Sequence, residues 1–222
     1  MEKTLYSEYF AIPESRIGVR LWSMNVPEVS PEPPVVEGPY VSAVGSNARD
    51  YQTLLEAARL LPDVPMVWVV RRENVAGFEL PSNVSVLSDV PYPKAMNVVK
   101  HSRLTVVPLK GSEVPCGHVT LVSGMLLEKA LVVTDSSGIS DYVTDGWNGL
   151  LCEPRNPADM AEKIRTLWDD PQEASRLGAN GFSFAEKYCA EQSARKEISA
   201  YLKMSGLTPD VHQHVEQTDA IR

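Results

Sequence analysis

The chain has 222 residues, 43% of them hydrophobic and 23% charged, which is enough for one large domain with a complete core. Twenty-nine acidic against 21 basic side chains leave a formal net charge of −8, which argues against a nucleic-acid binder, since that class carries a basic face. No apolar run approaches the roughly 20 residues that span a bilayer, and the first ten residues lack the basic-then-apolar order of a secretory signal. Cys116, Cys152 and Cys189 are far apart and without CxxC spacing, so they read as reduced thiols of a cytoplasmic protein.

Residues 1–39 end in NVPEVSPEPPVVEGP, whose prolines and acidic residues read as a stiff linker. Residues 40–203 then alternate aliphatic runs with helix-period segments. YVSAVG (40–45) predicts a strand, and RDYQTLLEAARLL (49–61) a helix with Leu54, Leu55, Ala58 and Leu61 on one stripe. PMVWVV and NVSVLSDV predict two more strands, YPKAMNVVKHSR a short helix, and LTVVPL a strand. HVTLVSGMLLEK predicts a helix, ALVVTD a strand, ISDYVTDG (139–146) a short helix and NGLLCEP a short strand. PADMAEKIRTLWDD is a strongly amphipathic helix, and two further helical stretches reach about residue 203. Residues 204–222 form a polar, aperiodic tail expected to be frayed.

Runs such as MVWVV, LTVV and LVVT suit strands buried on both faces. Strand–helix alternation around them argues for an α/β fold, a doubly wound parallel sheet. Ligands in such sheets lie at the carboxyl ends of the strands, so the strand-to-helix loops are the places to search. In the first, Asp50 can cap a helix while Arg49 projects toward the cleft. In PLKGSEVPCGHVTL, Lys110, Gly111 and Gly117 precede a helix starting near His118, an arrangement that suits an anion at a helix N-terminus. Ser136, Ser137 and Gly138 could offer further donors. Each loop alone is equally compatible with an ordinary surface turn. There is no G-x-G-x-x-G, Walker A, H-E-x-x-H or G-x-S-x-G pattern. His101 reads as structural, and His212 and His214 lie in the tail without further ligands for a metal.

Four stretches in order, VGSNARDYQTLLEA, NVSVLSDVPY, CGHVTLVSGMLLEKALVVTDSSGISDYVTDGWNGLL and EPRNPADMAEKIRTLWDDP, resemble the C-terminal, donor-binding domain of group 1 (family 4) glycosyltransferases of the GT-B fold. The resemblance covers about residues 40–203 and implies a single Rossmann-like domain that binds a nucleotide-diphosphate sugar. It implies that Arg49, with Lys110, neutralises the donor diphosphate, and that Gly117 and His118 supply the helix N-terminus that meets it. Ser123 falls where the family has a glutamate holding the ribose. Asp89, Val90 and Pro91 match the turn against the base. Glu113 stands near the first of the family's two glutamates, and Ser137 and Gly138 lie on the sugar-side loop, with Trp147 packing behind it.

The resemblance also implies retaining transfer without a metal or other cofactor, and no catalytic residue is assigned. Gly45–Ser46 stands where the family has glycine–arginine. Residues 1–39 resemble the end of the acceptor domain and the interdomain linker. The chain is therefore expected to be either a truncated domain or one whose acceptor half is a separate chain, the isolated chain is expected to be inactive, and an exposed cleft face favours a homo-oligomer. The alternatives are a non-catalytic nucleotide-sugar-binding subunit or degenerate fragment, and a nucleotide-sugar epimerase of the same architecture.

Overall fold

The computed structural model describes residues 2–111 and 116–205. Six strands, β1 (Val41–Val44), β2 (Met66–Val69), β3 (Val84–Leu87), β4 (Leu104–Val107), β5 (Ala130–Thr134) and β6 (Leu150–Cys152), form one sheet in the order β3-β2-β1-β4-β5-β6. Every pairing is parallel, and Val41 lies opposite both Met66 and Leu104. All residues of β1, β2, β4 and β5 are buried, as continuous aliphatic strands covered on both faces must be. Strand order reverses between β1 and β4, which makes their carboxyl ends the switch point of the sheet.

Alternation along the strands sends side chains to opposite faces. Val41, Ala43, Met66 and Trp68 pack with α2 (Tyr51–Arg59) and α5 (Pro157–Asp169) on one side. Tyr40, Val44, Val67 and Val69 pack with α3 (Tyr92–His101) on the other, where α4 (His118–Leu126) covers Leu131 and Val133. Asp50 caps α2, its carboxylate accepting from Thr53 N at 3.1 Å, and Leu54, Leu55, Ala58 and Leu61 are buried as their spacing predicts. Two long helices follow, α6 (Pro171–Tyr188) and α7 (Glu191–Met204).

One stretch differs from the sequence reading. Residues 139–146 are successive turns rather than a helix. Gly138 at φ +83° reverses the chain, Tyr142 N donates to Ile139 O, and buried Asn148 closes the loop by accepting from Thr144 N and donating to Tyr142 O. Residues 1–39 contain a helix, α1 (Glu2–Phe10), before a long extended strap. The proline-rich part of that strap is fastened to α3 by Asn97, whose Nδ2 donates to Ser30 O and Glu32 O at 2.9 and 2.7 Å. The polar tail from residue 206 lies outside the described residues. Among the described residues no helix is long and apolar enough to cross a membrane.

Helix α6 crosses the α4–β5 turn through Gly178, where an added Cβ would lie 2.5 Å from Glu128 O. Gly178→Ala would gain about 1 kcal/mol of helix propensity. Overpacking against a backbone carbonyl costs about 1–3 kcal/mol more than it would at an open site, so the clash wins. Urea unfolding of Gly178→Ala is expected at a lower midpoint than wild type with an unchanged m-value; an equal or higher midpoint would contradict this packing.

Candidate functional site

At the switch point the chain leaves β1 through Gly45, at φ +115°. Gly45 N donates to Val69 O at 3.0 Å and its carbonyl accepts from Tyr51 OH at 2.6 Å. This sharp exit leaves room for the Arg49 guanidinium, since a Cβ at position 45 would lie 2.8 Å from Arg49 Nη2. Arg49 is only 6% exposed. Its Nη1 donates to Asn47 O at 3.0 Å and Nη2 to Thr120 Oγ1 at 2.9 Å, and the Thr120 hydroxyl donates on to Val44 O at 3.3 Å. Arg49 Nε has no partner among the described residues. No described carboxylate pairs with this cation. Burial pulls the guanidinium below the usual arginine range, with Tyr51 and Cys116 acting in the opposite direction; arginine nonetheless remains charged.

Facing Arg49 is the start of α4. Gly117 holds the N-cap at φ +88° with no side-chain cap, and a Cβ there would lie 2.9 Å from Leu109 Cδ2 and 3.5 Å from Arg49 Nη1. The left-handed backbone and the close approach to Leu109 are what favour glycine here. The helix N-terminus adds roughly half a positive charge. Together these elements wall a cleft of about 410 Å³, with Ser46, Asn47 and Arg71 on the β1–β2 side and Trp22, Cys116 and His118 on the other.

Arg71 follows directly after β2's buried run. Its backbone N donates to Ser46 Oγ at 3.0 Å, while Asn74 Nδ2 donates to Ser46 O at 3.0 Å, so the loops after β1 and β2 are tied together. Neighbouring Arg72 pairs with Asp89 at 3.2 Å; Arg71 makes no ion pair with any described residue. The cleft thus gathers two arginines and a helix N-terminus with no described carboxylate among its lining residues. It can hold a multiply charged anion.

The structure brings Arg49, Gly117 and His118 together; the His118 ring lies 4.8 Å from that of Tyr142. The other residues expected at the site stand outside the cleft lining. Lys110 is exposed, and its backbone N donates to Ala48 O. Ser123 is fully buried, bonded to Tyr92 OH at 3.0 Å and to Met24 Sδ at 3.6 Å. Asp89, Val90 and Pro91 form the turn after β3, with Asp89 exposed at φ +58° and Pro91 at the N-cap of α3. Ser137 and Gly138 are half-buried in the turn after β5. Glu113 lies outside the described residues. Trp147 packs edge-on against Phe184, centroids 6.5 Å apart. Sequence reasoning missed Arg71 and Trp22. The pair of arginines closing a buried strand in VVRRE was a usable signal for Arg71; nothing local marked Trp22.

The profile of one family, the glycosyl transferases group 1, matches residues 44–184, and the chain belongs to that family. It is 28% identical over 124 residues to an uncharacterized glycosyltransferase of Methanocaldococcus jannaschii, covering 56% of this chain and 34% of that protein. The fold is similar to that of sucrose-phosphate synthase from Thermosynechococcus elongatus, with a TM-score of 0.72 at 19% identity over 92% of this chain and 57% of that one. It is also similar to Anabaena HepE in complex with UDP, with a TM-score of 0.65 at 19% identity over 75% of this chain and 49% of that one. The chain spans about a third or less of the length of the curated relatives it matches.

Inorganic pyrophosphate is expected to raise the thermal midpoint of the wild-type chain. Arg49→Met, which replaces the buried cation by an apolar side chain of similar length, is expected to unfold within about 1 kcal/mol of wild type without ligand and to lose the pyrophosphate shift. Retention of the shift in Arg49→Met would remove Arg49 from the anion site.

Proposed function

We propose that this group 1 glycosyl transferase chain binds a nucleotide-diphosphate sugar in the cleft between the β1 loop and α4, and acts as the donor half of a hexosyl transfer. The observation that carries this reading is Arg49, buried, without an acidic partner among the described residues, and facing the uncapped α4 N-terminus. Breaking the sugar–oxygen bond builds negative charge on the departing diphosphate. Arg49 and the helix N-terminus meet that charge from a fixed position, and Arg71 meets it from the open side, which is electrostatic stabilisation without reorganisation. Arg71 also restores the second cation that Ser46 leaves out of the β1 loop. Lys110, on the exposed neighbouring loop, adds to the same field.

In this reading the base lies toward the Asp89–Val90–Pro91 turn, and Ser137 and Gly138 border the sugar side. Ser123 reaches the ribose only if Tyr92 and Met24 move aside. The acceptor and the base that activates it belong to another domain, on a partner chain or elsewhere in a longer protein. Transfer is retaining, metal-independent and cytoplasmic, and the chain self-associates through its open cleft face. A second reading, a non-catalytic nucleotide-sugar-binding module, is favoured by Ser123, a covered hydroxyl where the resemblance places a carboxylate.

Calorimetric titration with UDP, GDP, ADP and their sugars tests the proposal. One nucleotide series is expected to bind, and its nucleoside to bind at least about 100-fold more weakly for want of the diphosphate contacts. Equal affinity for nucleoside and nucleotide would overturn it. Arg71→Ala is expected to cost about tenfold in nucleotide affinity, and EDTA to leave affinity unchanged; EDTA-sensitive binding would assign the diphosphate charge to a metal instead. Binding with no sugar transfer or donor hydrolysis, after an acceptor-domain partner is added, would select the second reading. Light scattering across concentrations is expected to show more than a monomer.

A further inference from the structure

We propose that Trp22 is the platform on which the donor's sugar ring stacks; this rests on the reading of the cleft as a nucleotide-sugar site. Trp22 belongs to the N-terminal strap, outside the residues matched by the family profile. Trp22 lines the cleft yet remains 52% exposed. Leaving so large an apolar face in water is unfavourable unless something covers it.

The backbone that carries this indole is held on both sides. Trp22 N donates to Tyr142 OH at 2.8 Å. Two residues on, Met24 N donates to Cys189 O at 2.9 Å and Met24 O accepts from Glu191 N at 3.1 Å, a parallel bridge to the α6–α7 junction. Two residues back, Arg20 donates to Ser23 Oγ at 3.2 Å and pairs with Glu197. Leu21 and Met24 pack against the core cluster that contains Tyr142. The peptide is fixed while the ring is left open, the arrangement of an aromatic group pre-organised for a ligand.

Its position in the sheet selects the sugar over the base. Trp22 is anchored by Tyr142, which follows β5 and packs on His118 at the α4 N-terminus. The turn at residues 89–91 follows β3, at the opposite edge of the sheet from β5 and β6. A donor whose diphosphate lies at Arg49 and whose base points toward β3 sends its sugar toward β5, where Trp22 stands. The C–H face of a pyranose is flat and apolar, and it suits the face of an indole.

The test compares matched pairs on the full chain: UDP with UDP-glucose, GDP with GDP-mannose, ADP with ADP-glucose. In the pair that wild type binds, Trp22→Ala is expected to leave the free nucleotide within about twofold and to weaken the nucleotide sugar about fivefold, the scale of losing one buried indole face. Trp22→Phe is expected to retain most of the sugar-dependent affinity, and the sugar-dependent change in wild-type tryptophan emission is expected to vanish in both variants. Equal weakening of nucleotide and nucleotide sugar, as a base contact or a loosened strap would give, overturns the proposal, as does no weakening of either. If wild type binds none of the nucleotides, the cleft reading fails and this proposal falls with it; if nucleotide affinity depends on Arg49 but Trp22→Ala changes nothing, only the sugar platform falls.

Discussion

The organising constraint in this domain is a guanidinium held almost out of water with no described counter-ion. An unpaired cation in such a place costs on the order of several kcal/mol relative to solvent, and the surrounding residues are arranged to limit that cost. Asn47 O and Thr120 Oγ1 accept two of its donors. Thr120 is in turn oriented by Val44 O at the end of β1. Gly45 and Gly117 withdraw their backbones so that the loop and the helix can close around the cation. Both switch-point loops are thus shaped around one side chain, whose Nε is left without a partner among the described residues.

This local positive site sits in a chain of net charge −8. The overall field opposes anionic ligands at long range, but the Debye length at physiological ionic strength is only about 8 Å. Any attraction of an anion to this site is therefore short-ranged. The two arginines contribute differently. Arg49 is rigid and desolvated, where an electrostatic contact is strong. Arg71 is exposed, its backbone bonded to Ser46 Oγ and Asn74 N, and its side chain makes no ion pair with a described residue.

The sheet was legible because strands covered on both faces leave uninterrupted aliphatic runs, and because Asp50 and the α2 stripe mark a helix start and its buried side. The stretch at 139–146 was misread because Ile139, Tyr142 and Val143 reproduce the i, i+3, i+4 spacing of a helix face. There the left-handed Gly138 and the Asn148 side chain win over periodicity, supplying the backbone's partners from a turn. Arg49 and Gly117 could be named from their loops. Trp22 could not, because its place depends on Tyr142, 120 residues further along the chain. Ser123 illustrates the converse: its helix position was readable, whereas the covering by Tyr92 and Met24 is a tertiary fact.

The bridge between Met24 and Ala190 has a consequence for how the domain is held together. The strap precedes β1 in the chain, yet its docking partner lies at the junction of α6 and α7. The first stretch of the described chain is thus seated on one of its last elements, so the Trp22 side of the cleft depends on contacts spanning most of the sequence.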